Sequence, residues 1–163
     1  MDFVIRQVKP QDIERCYEIE SASYAKDEAA TKEKIKIRAE QYPQGFLVLE
    51  VKNKIIGFIN SGCAQNVVMS DENFKELVGH VDDALNMVIM SVVVDPTYQG
   101  QGYSSVLMNE FIHKAKQLEK QAIYLMCKEH YIKLYQKFGF EYMQVSDSDH
   151  GGEKWYEMKL DLI

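Results

Sequence analysis

Residues 85–94 read Leu-Asn-Met-Val-Ile-Met-Ser-Val-Val-Val, after which the chain passes through Asp95-Pro96 and two glycines, Gly100 and Gly102, into an amphipathic run. The apolar, β-branched segment shows no strict alternation, so it reads as a central strand buried on both faces. Beyond the turn, Tyr103, Leu107, Phe111, Ala115 and Leu118 recur at steps of four or three. That spacing predicts a long helix over residues 102–119 with one apolar stripe. A buried strand that feeds such a helix must have it packed on the sheet, which commits the chain to layered α/β architecture.

The other elements fit that frame. Residues 3–8 alternate as a strand, and Pro10-Gln11-Asp12 opens a helix whose apolar face carries Ile13, Cys16 and Tyr17. A charged helix is predicted over 28–41, stopped by Pro43. Residues 45–51 and 55–63 form a hairpin around Lys52-Asn53-Lys54. Residues 65–84 read as loop, with a helical turn over 74–78. A strand over 121–127 and a short helix over 129–138 follow, the helix ending at Gly139. Strands over 140–145 and 154–160 flank a polar loop at 146–152. The whole chain, 1–163, reads as one mixed α/β (α+β) domain, with a central sheet of about seven strands and about four helices.

Composition limits the partners. The 163 residues include 46% apolar and 27% charged side chains, a globular balance. The longest nearly apolar run, 87–94, falls far short of the roughly 20 residues of a membrane span. No secretory leader is read at the N-terminus, and the chain is expected to be cytoplasmic. Net charge is -6 and the bases are interspersed with acids, so a phosphate-binding basic patch, and with it nucleic acid, is not expected. Cys16, Cys63 and Cys127 are odd in number and widely spaced, and they read as reduced, mostly core thiols. His80, His113, His130 and His150 lack metal-ligand spacing, and no metal is expected. Asp147-Ser148-Asp149-His150-Gly151-Gly152 starts like a calcium loop but fails at Gly151 and Met158.

Chemistry gathers at two places. The segment Gln99-Gly100-Gln101-Gly102-Tyr103-Ser104 joins the buried strand to the long helix. Its glycines allow close approach of backbone to a ligand, and the first free amides of the helix can hold a pyrophosphate. A dinucleotide fingerprint fails because Ser105 stands where glycine is required, and a P-loop lacks its lysine. The second place is Leu134-Tyr135-Gln136-Lys137-Phe138-Gly139-Phe140, where the phenylalanines read as core and Tyr135 offers a hydroxyl that can donate a proton.

Together, in this order, the two segments resemble the GCN5-related N-acetyltransferase (GNAT) superfamily. Residues 99–104 match its Gln/Arg-x-x-Gly-x-Gly/Ala motif, with Ser104 in place of the final small residue. Within the superfamily, residues 125–140 and Tyr24-Ala25-Lys26-Asp27-Glu28-Ala29-Ala30 resemble the arylalkylamine (serotonin) N-acetyltransferases. The resemblance implies a central strand that bulges and splays from its neighbour. It implies acetyl-CoA as co-substrate, its pantetheine on the strand edge at Val92, Val93 and Val94 and its pyrophosphate on Gln99, Gly100, Gln101, Gly102, Tyr103, Ser104 and Ser105. Direct transfer to the primary amine of a small molecule follows, arylalkylamine or polyamine-like, with Tyr135 protonating the leaving thiolate. A peptide or protein acceptor, a non-catalytic acyl-CoA sensor and a homodimer remain open.

The similar enzymes carry two histidines where this chain has Val88 and Met90, so the amine's proton needs another acceptor. Glu20 lies on the otherwise apolar face of the first helix, beyond Cys16 and Tyr17. Its carboxylate can hold an ammonium or take its proton, although its place near the helix end favours a solvent-facing side chain. Glu28 and Glu129 are lesser candidates.

Overall fold

The computed structural model describes residues 2–163. Its seven-stranded sheet has the order β1-β2-β3-β4-β5-β7-β6. The strands are β1 (Val4–Gln7), β2 (Leu47–Val51), β3 (Lys54–Ala64), β4 (Asn86–Val94), β5 (Ala122–Cys127), β6 (Glu141–Val145) and β7 (Tyr156–Asp161). Every pairing is antiparallel except β4 with β5. The helices are α1 (Ile13–Ser23), α2 (Lys32–Gln41), α3 (Tyr103–Gln117) and α4 (Ile132–Lys137).

Local chemistry sets the element bounds. Helix α2 starts at Lys32 because the Thr31 side chain accepts the Lys34 amide; residues 28–31, expected to be helical, lead into this cap instead. The β2–β3 turn uses Lys52 and Asn53 with φ of 52° and 64°, the left-handed pair that matches strand twist in a tight hairpin. The turn expected over 74–78 is a short 3-10 segment, Glu72–Glu76, begun by the Asp71 carboxylate on the Asn73 amide. All three cysteines are buried and free.

Two cores occupy opposite faces of the sheet. Leu107, Phe111 and Ala115 of α3 pack with Met87, Ile89 and Ile123 on one face. Cys16 and Ile19 of α1 and Ile35 of α2 pack with Phe46, Phe58 and Val93 on the other. Strand β4 supplies both, and its alternation changes partway. The β3–β4 register slips between Asn60 and Ser61: Ser91 opposes Asn60, Ile89 opposes Ser61, and Met90 is the extra residue. Past this bulge the parity inverts, so Met87 and Ile89 share a face with Val94 while Val93 points to the opposite core.

Candidate active site

Strands β4 and β5 pair only through Asn86–Ala122, Met87–Ile123 and Val88–Tyr124. Beyond Val88 they part, while β5 stays paired with β7 as far as Cys127. The bulge at Met90 and this early end of the ladder open a cleft in mid-sheet. The edge of β4 at the cleft carries intramolecular partners, which the sequence did not reveal. Tyr24 Oη donates to the Val92 carbonyl at 3.0 Å, and Gln99 Nε2 donates to the Val94 carbonyl at 2.9 Å. The side chain of Val93 belongs to the α1–α2 core, so only its backbone is available to a ligand.

At the outer end of the cleft the chain turns into α3. Asp95 Oδ1 accepts the Thr97 amide at 3.0 Å, and Arg15 ties Asp95 Oδ2 at 2.6 Å and the Ile55 carbonyl at 3.0 Å. This pins the turn to α1 and to the hairpin. Gly100 and Gly102 have φ of 78° and 87°, left-handed conformations that side chains disfavour. Gly102 caps α3, and among the described residues no side chain bonds the first amides of that 15-residue helix. Gln99, Gly100, Gln101, Gly102 and Ser104 are exposed and Ser105 is half-buried, an uncapped helix N-terminus suited to an anion. Tyr103 departs from the sequence picture, because its ring is buried in the core beside Tyr98 and leaves only its amide for binding.

The inner end of the cleft is a cavity of about 180 Å³. Tyr135 enters it from α4, its ring edge-on to Phe140 at 5.9 Å between centroids. Burial raises the Tyr135 hydroxyl above its ordinary pKa, with the nearby Cys127 adding to the effect. A protonated hydroxyl at neutral pH is what a proton donor requires. Val88 and Met90 both line the cavity, so the positions occupied by histidines in similar enzymes are apolar and offer no relay.

Glu20 overturns the solvent-facing expectation. It is 2% exposed and lines the cavity. Its Oε2 accepts the Ala30 amide at 2.9 Å, and its Oε1 is buried without a hydrogen-bond partner among the described residues. Burial raises its pKa, opposed by the Ala30 amide, the Arg38 charge and the Ser91 hydroxyl. The segment 24–31 folds back over the end of α1, which no local periodicity announces. Glu28 also lines the cavity, but its carboxylate is occupied by Lys128 at 2.8 Å. Glu129 is exposed and outside it.

Sequence reasoning missed the contribution of the β6–β7 loop. His150 lies 3.0 Å from the Glu28 carbonyl through Nε2 and 3.1 Å from the Glu72 carboxylate through Nδ1. Trp155 Nε1 donates to the His150 carbonyl at 2.9 Å, and both rings line the cavity. Three distant loops thus close one wall. Trp155, the single tryptophan, was the only available signal. Among the described residues no cluster of three or more His, Cys, Asp or Glu side chains is placed to hold a metal.

Comparison with known proteins gives this geometry a context. The model of the acetyltransferase (GNAT) family matches residues 13–140. The chain is 28% identical over 117 residues to the uncharacterised N-acetyltransferase ycf52 of Porphyra purpurea, a match covering 69% of this chain and 65% of that relative's length. Among solved structures, the loading GNATL domain of CurA from Lyngbya majuscula superposes with a TM-score of 0.87 at 18% identity, covering 99% of this chain and 98% of that one. The putative acetyltransferase yncA of Salmonella typhimurium, solved with acetyl-CoA, gives a TM-score of 0.74 at 19% identity, covering 100% and 95%. At these identities the structures share the fold.

Proposed function

The chain belongs to the GNAT family of acetyltransferases, and from that premise we propose that it transfers the acetyl group of acetyl-CoA directly to the primary amine of a small molecule. The observation that carries the proposal is the continuity of the cleft. It runs from an uncapped helix N-terminus, past the parted edge of β4, into a cavity lined by the buried Glu20 carboxylate and the half-buried Tyr135.

Bound acetyl-CoA would supply an activated thioester and a thiolate leaving group. The amides at the start of α3 hold its pyrophosphate, and Gly100 and Gly102 keep that backbone clear of side chains. An extended arm aligning along residues 90–94 of β4, like an added strand, would take the places of Tyr24 and Gln99 on the Val92 and Val94 carbonyls. An ammonium entering the cavity meets Glu20 Oε1, the one oxygen of that carboxylate without a partner. Its raised pKa makes this carboxylate a better proton acceptor than an exposed glutamate. Loss of the proton frees the lone pair of the amine, the only nucleophilic form. The lone pair attacks the thioester carbonyl, Tyr135 gives its proton to the departing sulfur as the C–S bond breaks, and the second proton shed by the nitrogen as it becomes an amide restores the phenol.

The small volume of the cavity, about 180 Å³, supports a small acceptor over a peptide laid in an open groove, and the resemblance of residues 125–140 to arylalkylamine N-acetyltransferases supports it independently. The test is release of CoA thiol from acetyl-CoA against a panel of small amines and an N-terminal peptide, between pH 6 and 9. Turnover on small amines supports the proposal. Turnover on the peptide alone moves the acceptor to protein. No turnover, with acetyl-CoA still raising Tm, points to an acceptor outside the panel or to an acyl-CoA sensor.

A further inference from the structure

The wall of the cavity formed by α2 carries positive charge that the protein does not neutralise. Arg38 is 2% exposed, yet no carboxylate bonds it among the described residues. Its Nε donates to the Lys75 carbonyl at 3.1 Å. Its Nη1 has only long contacts, 3.5 Å to Asn60 Oδ1 and 3.4 Å to Ser91 Oγ. Burial pulls its pKa down to about 10, opposed by Glu20 and Tyr24. Lys34, one turn earlier on the same face of α2, also lines the cavity and has no ion-pair partner among the described residues. Other cavity charges are already engaged: Lys75 with Glu72 at 2.8 Å, and Glu28 with Lys128 at 2.8 Å. The Asp71 carboxylate is exposed and bonded to the Asn73 amide.

Leaving a charge buried and unpaired is costly, and a half-satisfied polar network is costlier than an apolar wall. Here two side chains bear that cost in one cavity, both beside Ser91 and with no ion pair between them among the described residues. Glu20 presents a buried oxygen with no donor, and Arg38 presents a buried guanidinium with no anion. Asn60 Nδ2, beside the Arg38 contact, is likewise buried without a partner. A direct ion pair would satisfy both charges, and the fold does not make one.

We propose that this gap is a subsite for a zwitterion: the acceptor carries a carboxylate as well as its amine, with the ammonium on Glu20 and the carboxylate on Arg38 and Lys34. The inference rests on the transferase reading and narrows its acceptor to compact amino acids. A polyamine is disfavoured at this wall, because its second cation meets Arg38 and Lys34. A plain arylalkylamine satisfies Glu20 but leaves Arg38 as it is.

The test compares acceptors differing only by the carboxylate: tyrosine with tyramine, tryptophan with tryptamine, lysine with cadaverine. The expected kcat/KM favours the amino acid by at least about tenfold within a pair, as for a charge-assisted contact to Arg. Arg38→Met should abolish that ratio. Lys34→Met, on the half-buried helix surface, should lower it by about threefold even where Arg38→Met fails to fold. Lys34→Glu should lower it further. Acetylation of the plain amines with rejection of their amino acids overturns the subsite and leaves the transferase reading standing. If no member of any pair is acetylated, the small-amine acceptor of the transferase reading fails instead. Calorimetry of the amino acids on CoA-saturated protein then decides the subsite: heat that Lys34→Met removes supports it, and absence of heat overturns it.

Discussion

At the scale of single residues, the site depends on two cavity-lining groups, Glu20 and Tyr135, whose proton affinities are both raised by desolvation, with opposite uses. For Tyr135 the raised pKa keeps a proton available to a leaving thiolate. Tyr135→Phe should lower kcat by about 10²-fold or more while acetyl-CoA affinity stays within twofold, read by single-turnover kinetics and calorimetry. An unchanged kcat would remove Tyr135 from the mechanism. For Glu20 the shift has a consequence for stability as well. A carboxyl with a raised folded-state pKa binds its proton more tightly when folded than when unfolded. Its cost to the fold is therefore absent below the ordinary value of 4.5 and develops as pH rises above it. Glu20→Gln keeps an acceptor for the Ala30 amide and removes the buried charge. It should raise Tm by about 2–4 °C at pH 8, for roughly 1 kcal/mol, and by little at pH 4. The same variant should raise KM for a cationic amine. A lower Tm at pH 8 would show that Arg38 outweighs desolvation.

At the scale of elements, the sequence was most informative where pattern and backbone agree. The apolar stripe of α3, the glycines at its start and the uninterrupted β4 segment predict a strand, turn and helix in the observed places. The same holds for the hairpin, whose turn residues carry their own left-handed preference. Less legible were features created by one segment closing on another. Thr31 competes with the helical pattern of 28–30 and delays α2. Glu20 looks solvent-facing until Ala30 returns over it, and His150 looks like a loop residue until Glu28 and Glu72 reach it. Such contacts join residues far apart in the chain, and nothing in local periodicity encodes them. The turn before α3 supports a sharper expectation. At Gly102 any β-branched residue must adopt φ near 87°, at a strain of about 1–2 kcal/mol, and also place methyl groups beside the first free amides. Gly102→Val should weaken acetyl-CoA binding tenfold or more by calorimetry. Arg15→Met, which unpins Asp95, should raise the KM for acetyl-CoA by a few-fold and leave the KM for the amine unchanged. Normal acetyl-CoA affinity in Gly102→Val would dismiss the α3 terminus as the pyrophosphate site.

At the scale of the whole molecule, the cleft that makes room for ligand also weakens the sheet. Strands β1 to β4 form one continuous ladder, and β5, β7 and β6 another. The strand pairing between them spans just Asn86–Val88 against Ala122–Tyr124, reinforced by the Gln121 amide on the Leu85 carbonyl, by Lys120 on the Asp82 and Ala84 carbonyls, and by α3 and its core. The second ladder ends in β6, an edge strand whose five residues are all exposed. With less buried surface per strand, this half should open at lower free energy than the β2–β4 half, where β3 is buried over nearly its full length. A ligand lying in the cleft touches both halves and binds neither when they are apart, so its binding energy is added to their joint stability. At a hundredfold excess over Kd that amounts to about 2.7 kcal/mol. Native-state hydrogen exchange should therefore show amides of β5 and β7 exchanging faster than those of β3 in the free protein. Acetyl-CoA should slow β5 and β7 more than β3, narrowing the gap between the two halves. Protection confined to the α3 terminus would mean that the ligand stays outside the cleft. Equal slowing of both halves would mean that they already open as one unit, with the short junction and the α3 core strong enough to hold the sheet together unaided.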